Sequence, residues 1–218
     1  MSGAWGVEAH QGSAAEFHAR TVEEPAQRGV WWSSVDRPAL VLGSAQRPEV
    51  ADAHALAATG VELVRRRSGG GAVLLVPGEV VWADVIVPAG GPLWDDDVGR
   101  AAHWLGDVWA RALAACGLPD LAVHRGPMVR TPWSPLVCFS GLGPGEVHAG
   151  GRKVVGISQR RTRGWARFQC AAYLRWDPDA LLALLAPPRP PVDALIDTVL
   201  EVPATADAVR TAVDVALP

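Results

Sequence analysis

Apolar residues come in short runs broken by Pro, Gly and Asp, with a helical period in only a few places. Residues 30–35 and 39–43 flank Asp36-Arg37-Pro38 and predict two strands joined as a hairpin. The alanine-rich stretch 51–58 follows Pro48 and meets Gly60, which predicts a short helix, and residues 61–64 predict the next strand. Residues 72–76 and 80–87 surround Pro77-Gly78 as strand, turn and strand. Between Asp95 and Cys116 the apolar Val98, Ala101, Ala102, Leu105, Val108, Trp109, Ala112 and Leu113 recur at helical spacing. Acids stand at the start and Gly117 lies just past the end, so this is the longest expected helix. Short strands are expected over 121–124, 136–139, 145–148, 152–158 and 166–174, and helices over 177–185 and 204–216. The pattern predicts an α+β fold, a mixed central β-sheet flanked by helices.

Composition narrows the class. With 49% hydrophobic residues over 218 positions the chain can bury a full core, and no Ser/Gly-rich linker divides it, so residues 1–218 are read as a single domain. Net charge is -3, which gives no general basis for nucleic-acid binding. The start, MSGAWGVEAHQGSAAEFHAR, lacks a basic segment followed by an apolar one, and no run approaches the ~20 apolar residues of a membrane span. The expectation is a cytoplasmic protein with no membrane contact. Cys116, Cys138 and Cys170 are odd in number and far apart, which argues against a disulfide framework or a zinc knuckle. The histidines have no ligand spacing, so no protein-bound metal is expected.

Two stretches carry chemistry. In RRRSGGGAV three glycines sit between strand-like runs, where they allow positive φ and close approach of backbone N–H groups to anionic oxygens. As a bare turn it would hold solvated arginines instead. No lysine follows the glycines, so it is not a nucleotide phosphate loop of the GxxxxGK[ST] kind. GRKVVGISQRR contains the only lysine, Lys153, beside nineteen arginines elsewhere. An ammonium is a compact point charge that can touch two oxygens at once, whereas a guanidinium is a planar fork.

RRRSGGGAV, followed about eighty residues later by GRKVVGISQRR and preceded by LGSAQRPE, resembles the lipoate-protein ligase and octanoyltransferase family. The resemblance is strongest over residues 31–177. It implies a fold like that of biotin-protein ligases and class II aminoacyl-tRNA synthetases; larger ligases of the family add a C-terminal accessory domain, and none is expected in these 218 residues. It implies a ligase that activates lipoate or octanoate with ATP and Mg2+ and passes the acyl group to a lysine of an apo lipoyl domain or a glycine cleavage H-like protein. Lys153 would then stabilise charge on the acyl carbonyl and α-phosphate. Arg67, Ser68, Gly69, Gly70, Gly71 and Ala72 would hold the adenylate or carboxylate end, and Val73, Val155 and Gly156 would line the acyl slot.

The chain departs from the family after the glycines, where an aromatic-His-Asp segment and a GNLN-like turn are replaced by LLVPGEVV. A second reading rests on Cys138, in LVCFSGLGPGEV, which resembles the nucleophile of an octanoyltransferase branch that takes octanoate from acyl carrier protein. As a small buried hydrophobe, Cys138 would have no chemical role. A third reading is a non-catalytic acyl-binding relative. The tryptophans are read as core or rim. Arg160, Arg161, Arg163 and Arg167 are read as a solvated basic edge, with attraction of acidic domains as the functional alternative.

Overall fold

A computed structural model describes residues 5–218, and two sheets share the strands. The larger has seven, in the order β1 (Gly6–Gly12), β2 (Gly29–Val35), β6 (Val80–Pro88), β10 (Trp165–Tyr173), β9 (Arg152–Arg161), β8 (Val147–Ala149) and β7 (Ala122–Val123). Only β1 and β2 pair in parallel in it. The smaller sheet has the order β4 (Glu62–Arg65), β3 (Ala39–Leu42), β5 (Val73–Leu75), with β3 and β4 parallel.

The expected hairpin of residues 30–35 and 39–43 does not form. Both edges of β2 are taken by β1 and β6, and both edges of β3 by β4 and β5, so Asp36-Arg37-Pro38 turns a corner between sheets. Nearly every position of both strands is buried, and runs without alternation do not specify which neighbour pairs. β5 and β6 separate across the sheets in the same way.

Helix α1 (Ala14–Ala19) follows β1, and neither is among the elements expected from the apolar pattern. Its signal is Ser13-x-x-Glu16: the Ser13 hydroxyl accepts from Glu16 N–H at 3.2 Å and Glu16 Oε2 accepts from Ser13 N–H at 2.8 Å. Asp52 caps α2 (Ala53–Thr59), which ends at the left-handed Gly60. The long helix α3 (His103–Ala115) starts eight residues later than the apolar period suggests. Asp95 and Asp97 accept the backbone N–H groups of Asp97 and Gly99 and hold Arg100, local bonds that compete with a helical turn. Residues 136–139, expected as a strand, form a bridge at Val137 and a 3-10 turn over Cys138–Ser140. A short apolar run cannot be told from a strand by period alone.

One face of the large sheet packs against α3 and α5 (Ala206–Ala216), through Val81, Ala83, Val85, Phe168, Cys170 and Ala172 of β6 and β10 with Leu105, Trp109 and Leu113 of α3. The other face meets α1 and the small sheet, whose far side is covered by the leucines of α4 (Pro178–Ala183). Several of the candidate residues named from the sequence lie between the two sheets.

Candidate active site

Register sets the floor of this space. Gly156, Ala171 and Trp82 lie side by side across β9, β10 and β6, then Ser158, Gln169 and Asp84, then Arg160, Arg167 and Ile86. Side chains two apart share a face. The face therefore runs from an apolar row through a polar row to a row with two arginines. A cleft of about 430 Å³, counting its open mouth, lies over the first two rows beneath Val41, Val73 and Leu75 of the small sheet.

The glycine turn closes one wall. A Cβ on Gly43 would stand 1.8 Å from the Gly70 carbonyl oxygen, and one on Gly71 would stand 2.6 Å from the Val137 backbone, so these chains meet only because both residues are glycine. Ala72 N–H donates to Leu136 O and Cys138 N–H to Ala72 O, latching the turn to the cysteine segment. Gln46 adds a clamp: its Oε1 accepts Gly43 N–H at 2.8 Å while its Nε2 donates to the Pro135 and Leu136 carbonyls. Arg66 is buried and donates to the carbonyls of Gly69, Gly71 and Val41. The N–H groups of Gly69, Gly70 and Gly71 make no hydrogen bond among the described residues.

Cys138 borders the cleft, half-buried, with its Sγ 4.0 Å from Arg66 Nη2. Lys153 lies behind it, 3% exposed. Its Nζ donates to the Cys138 carbonyl at 2.9 Å, pairs with Glu146 Oε2 at 2.8 Å and stands 5.1 Å from the Phe139 ring centre. Glu146 also accepts the N–H of Gly143 and of Ile157. The ammonium is thus held by two protein oxygens, while Cys138 lines the cleft.

A relay of polar side chains continues inward. Ser68 Oγ lies 3.0 Å from Ser158 Oγ and 2.7 Å from Gln169 Oε1, and Gln169 Nε2 lies 3.1 Å from His18 Nδ1. The His18 ring lies 4.6 Å from the Trp82 ring, and Arg167 pairs with Asp84 at 2.5 Å. Burial, then the charges of Arg66 and Arg167, lower the His18 pKa from 6.5 to about 3. Unfolded chains bind a proton here near pH 6.5 and folded ones only near pH 3, so acidification through that window favours unfolding. From pH 7 to pH 5 this group should remove about 2 kcal/mol of stability. Denaturant midpoints should show wild type losing about that much more than His18→Phe over the same interval, and parallel losses would contradict the depressed pKa.

Residues 13–206 match the lipoyl protein ligase A/B catalytic domain family. The chain belongs to that family. It is 32% identical to the octanoyltransferase LipM of Kyrpidia tusciae over 175 residues, 77% of this chain and 61% of that protein. The chain therefore spans less than two thirds of that relative's length. A putative lipoate protein ligase of T. acidophilum with bound lipoic acid superposes with a TM-score of 0.73 at 18% identity, covering 97% of this chain and 83% of that one. A bi-partite lipoate protein ligase of Thermoplasma acidophilum, solved in work that includes its E2 lipoyl domain, also gives 0.73, at 17% identity over 97% and 81%. Lipoate-protein ligase A bound with ATP gives 0.69 at 19% identity over 96% and 82%. These likenesses establish the shared fold, an α+β mixed sheet flanked by helices.

In this lipoyl ligase-family domain the residues named from sequence are divided. Ser68, Gly69, Gly70, Gly71, Ala72, Val73, Cys138 and Gly156 lie on or beside the cleft wall, with Lys153 behind Cys138. Arg67 is exposed near Arg160, and Arg66 is the arginine turned inward, because side chains alternate along the extended chain leaving β4. Val155 is fully buried in the core on the helical side, so of the pair Val155-Gly156 only Gly156 meets the cleft. Arg167 is not part of a solvated basic edge: it is buried and holds Asp84 and the Phe17 and Arg20 carbonyls. Cys170 is fully buried, and burial holds its thiol well above the ordinary range. Sequence reasoning passed over Arg66, His18, Glu146 and Gln169. Alternation in β9 and β10 could have flagged Gln169, whereas nothing local marks His18 as part of this face. No group of three or more His, Cys, Asp or Glu among the described residues could hold a metal, and no helix among them is long and apolar enough to cross a membrane.

Proposed function

We propose that this domain transfers an octanoyl or lipoyl group from a carrier thioester to a lysine of a lipoyl domain or H-like protein, through a thioester on Cys138. The supporting observation is the division of labour at the cleft: Cys138 lines it with Gly70 close to its sulfur, whereas Lys153 is buried and held by Glu146 and the Cys138 carbonyl. The thiolate attacks the acyl carbon, and the carbonyl electrons move onto oxygen. Collapse of that intermediate expels the carrier thiolate, which takes up a proton. The acceptor amine then attacks the new thioester, loses a proton and releases Cys138. The N–H groups of Gly70 and Gly71, which make no hydrogen bond among the described residues, would serve the oxyanion in both halves.

ATP-dependent ligation is the second reading, supported by the fold shared with ligases. There the same N–H groups and the exposed Arg67 would meet the phosphates, with Mg2+ carried by ATP. Residues 74–81 supply no His, Asp or Asn in the segment where ligases carry polar groups, which favours the thioester route. Intact mass after mixing with octanoyl acyl carrier protein, without ATP, tests the choice. A hydroxylamine-sensitive adduct that disappears on adding apo lipoyl domain is expected. Modification that requires free acid and ATP, with pyrophosphate release, would assign the ligase.

A further inference from the structure

We propose that His18 is a specificity-determining residue, a fixed Nε2–H donor in the cleft wall that selects acyl chains carrying a hydrogen-bond acceptor over plain hydrocarbon chains of similar length. The proposal rests on the cleft being the acyl site and not on the identity of the acyl donor.

The direction of every bond in the polar relay can be worked out from its fixed end. Asp84 is ion-paired with Arg167, and its carboxylate can only accept. With Oε1 on the Ser68 hydroxyl at 2.7 Å, the Gln169 NH2 is turned to the other side of the amide. The same NH2 faces His18 Nδ1 at 3.1 Å, which makes Nδ1 an acceptor. Gln169 Oε1 then takes the Ser68 hydroxyl hydrogen at 2.7 Å, and with that hydrogen used, Ser158 must be the donor to Ser68. The neutral ring carries its one hydrogen on Nε2. Burial and the nearby arginines keep it from gaining a second at working pH.

Nothing in the protein takes up that donor. His18 is 9% exposed and borders the cleft, and its Nε2 has no hydrogen-bond partner among the described residues, yet it is not sealed from solvent. The bond to Gln169 and the stack on Trp82 stop the ring from turning away. The nearby cleft surface from Val41, Val73, Leu75 and Trp82 is apolar apart from the Trp82 N–H, which donates to Asp84. An unsubstituted chain that displaces water from this wall leaves a buried N–H unmet, a penalty of about 5- to 100-fold in affinity. A ring sulfur or a keto oxygen on the chain meets it, and sulfur gains further from the faces of His18 and Trp82.

Equilibrium binding of octanoic, lipoic and 6-oxo-octanoic acids to the whole protein, without carrier or acceptor, reads this directly. Wild type should prefer the two acceptor-bearing acids, and His18→Phe, which keeps the ring and the stack but lacks the donor, should shrink that preference by about 5-fold or more. A folded His18→Phe protein with unchanged ratios overturns the proposal. A loss of the lipoic preference alone makes sulfur the recognised atom, and loss of the oxo preference alone makes it oxygen. Both support an acceptor-reading histidine. Nitrogen NMR of wild-type His18 is a second measurement independent of any variant: the hydrogen should reside on Nε2, and an Nδ1–H ring would overturn the assignment. A protein that binds these acids as expected but forms no acyl-enzyme would remove the thioester route and leave this inference intact.

Discussion

Cys138→Ser is expected to leave the fold and acyl binding intact and to slow acyl transfer by at least about 10³-fold, with no covalent adduct seen by intact mass. The serine hydroxyl fits where the half-buried thiol stands. It fails as a nucleophile because an alcohol must lose its proton to a base during attack, and no histidine or carboxylate hydrogen-bonds this position among the described residues. His18 cannot serve: its Nδ1 is occupied by Gln169, and with a pKa near 3 the ring is a weak base. The Arg66 guanidinium at 4.0 Å is a partner for developing negative charge and not a proton acceptor. A thiol needs less assistance, which is why the geometry suits sulfur. If Cys138→Ser modified an apo lipoyl domain at the wild-type rate from octanoate and ATP, the sulfur would be a packing atom and the ligase reading would stand.

What could be read from the sequence follows from how local its causes are. Gly60 as a helix stop, the helical period around Leu105 and Trp109, and the long strands of β9 and β10 all depend on near neighbours, and the structure reproduces them with shifted ends. The corner at Asp36-Arg37-Pro38 does not, because a strand buried on both faces has no alternation to say which edge it will meet. The same distinction runs through the site. Glycines that allow backbones to touch leave a signature in sequence, and Gly43, Gly70 and Gly71 do touch across the small sheet and the cysteine segment. Arg66 was legible only as one of three arginines, since alternation leaving β4 decides which of them turns inward. His18 and Glu146 join the site across sequence separations of 151 and 11 residues, through Gln169 and Ile157, and no local pattern announces such a partner.

Lys153 gives the sharpest test of structure against chemistry. Lys153→Met should destabilise the protein by about 3 kcal/mol, at the low end for breaking a buried ion pair, because Glu146 keeps the N–H groups of Gly143 and Ile157 when it loses the ammonium. Adding Glu146→Gln should restore much of that loss, since a neutral amide no longer needs the cation. Lys153→Arg should not substitute for lysine: a fork cannot occupy a site that is 3% exposed and still place one donor on both Glu146 and the Cys138 carbonyl. If Lys153 contributes to the reaction, by holding the Cys138 carbonyl and setting a positive charge behind the nucleophile, the stable double variant should remain about 10²-fold slow in forming the acyl-enzyme. Denaturant midpoints and single-turnover mass measurements on the same samples separate the two effects. A double variant that regained both stability and rate would reduce Lys153 to an anchor for the buried carboxylate. Restored stability with a lasting defect in the first half-reaction would show that the single lysine of an arginine-rich chain is kept for its chemistry.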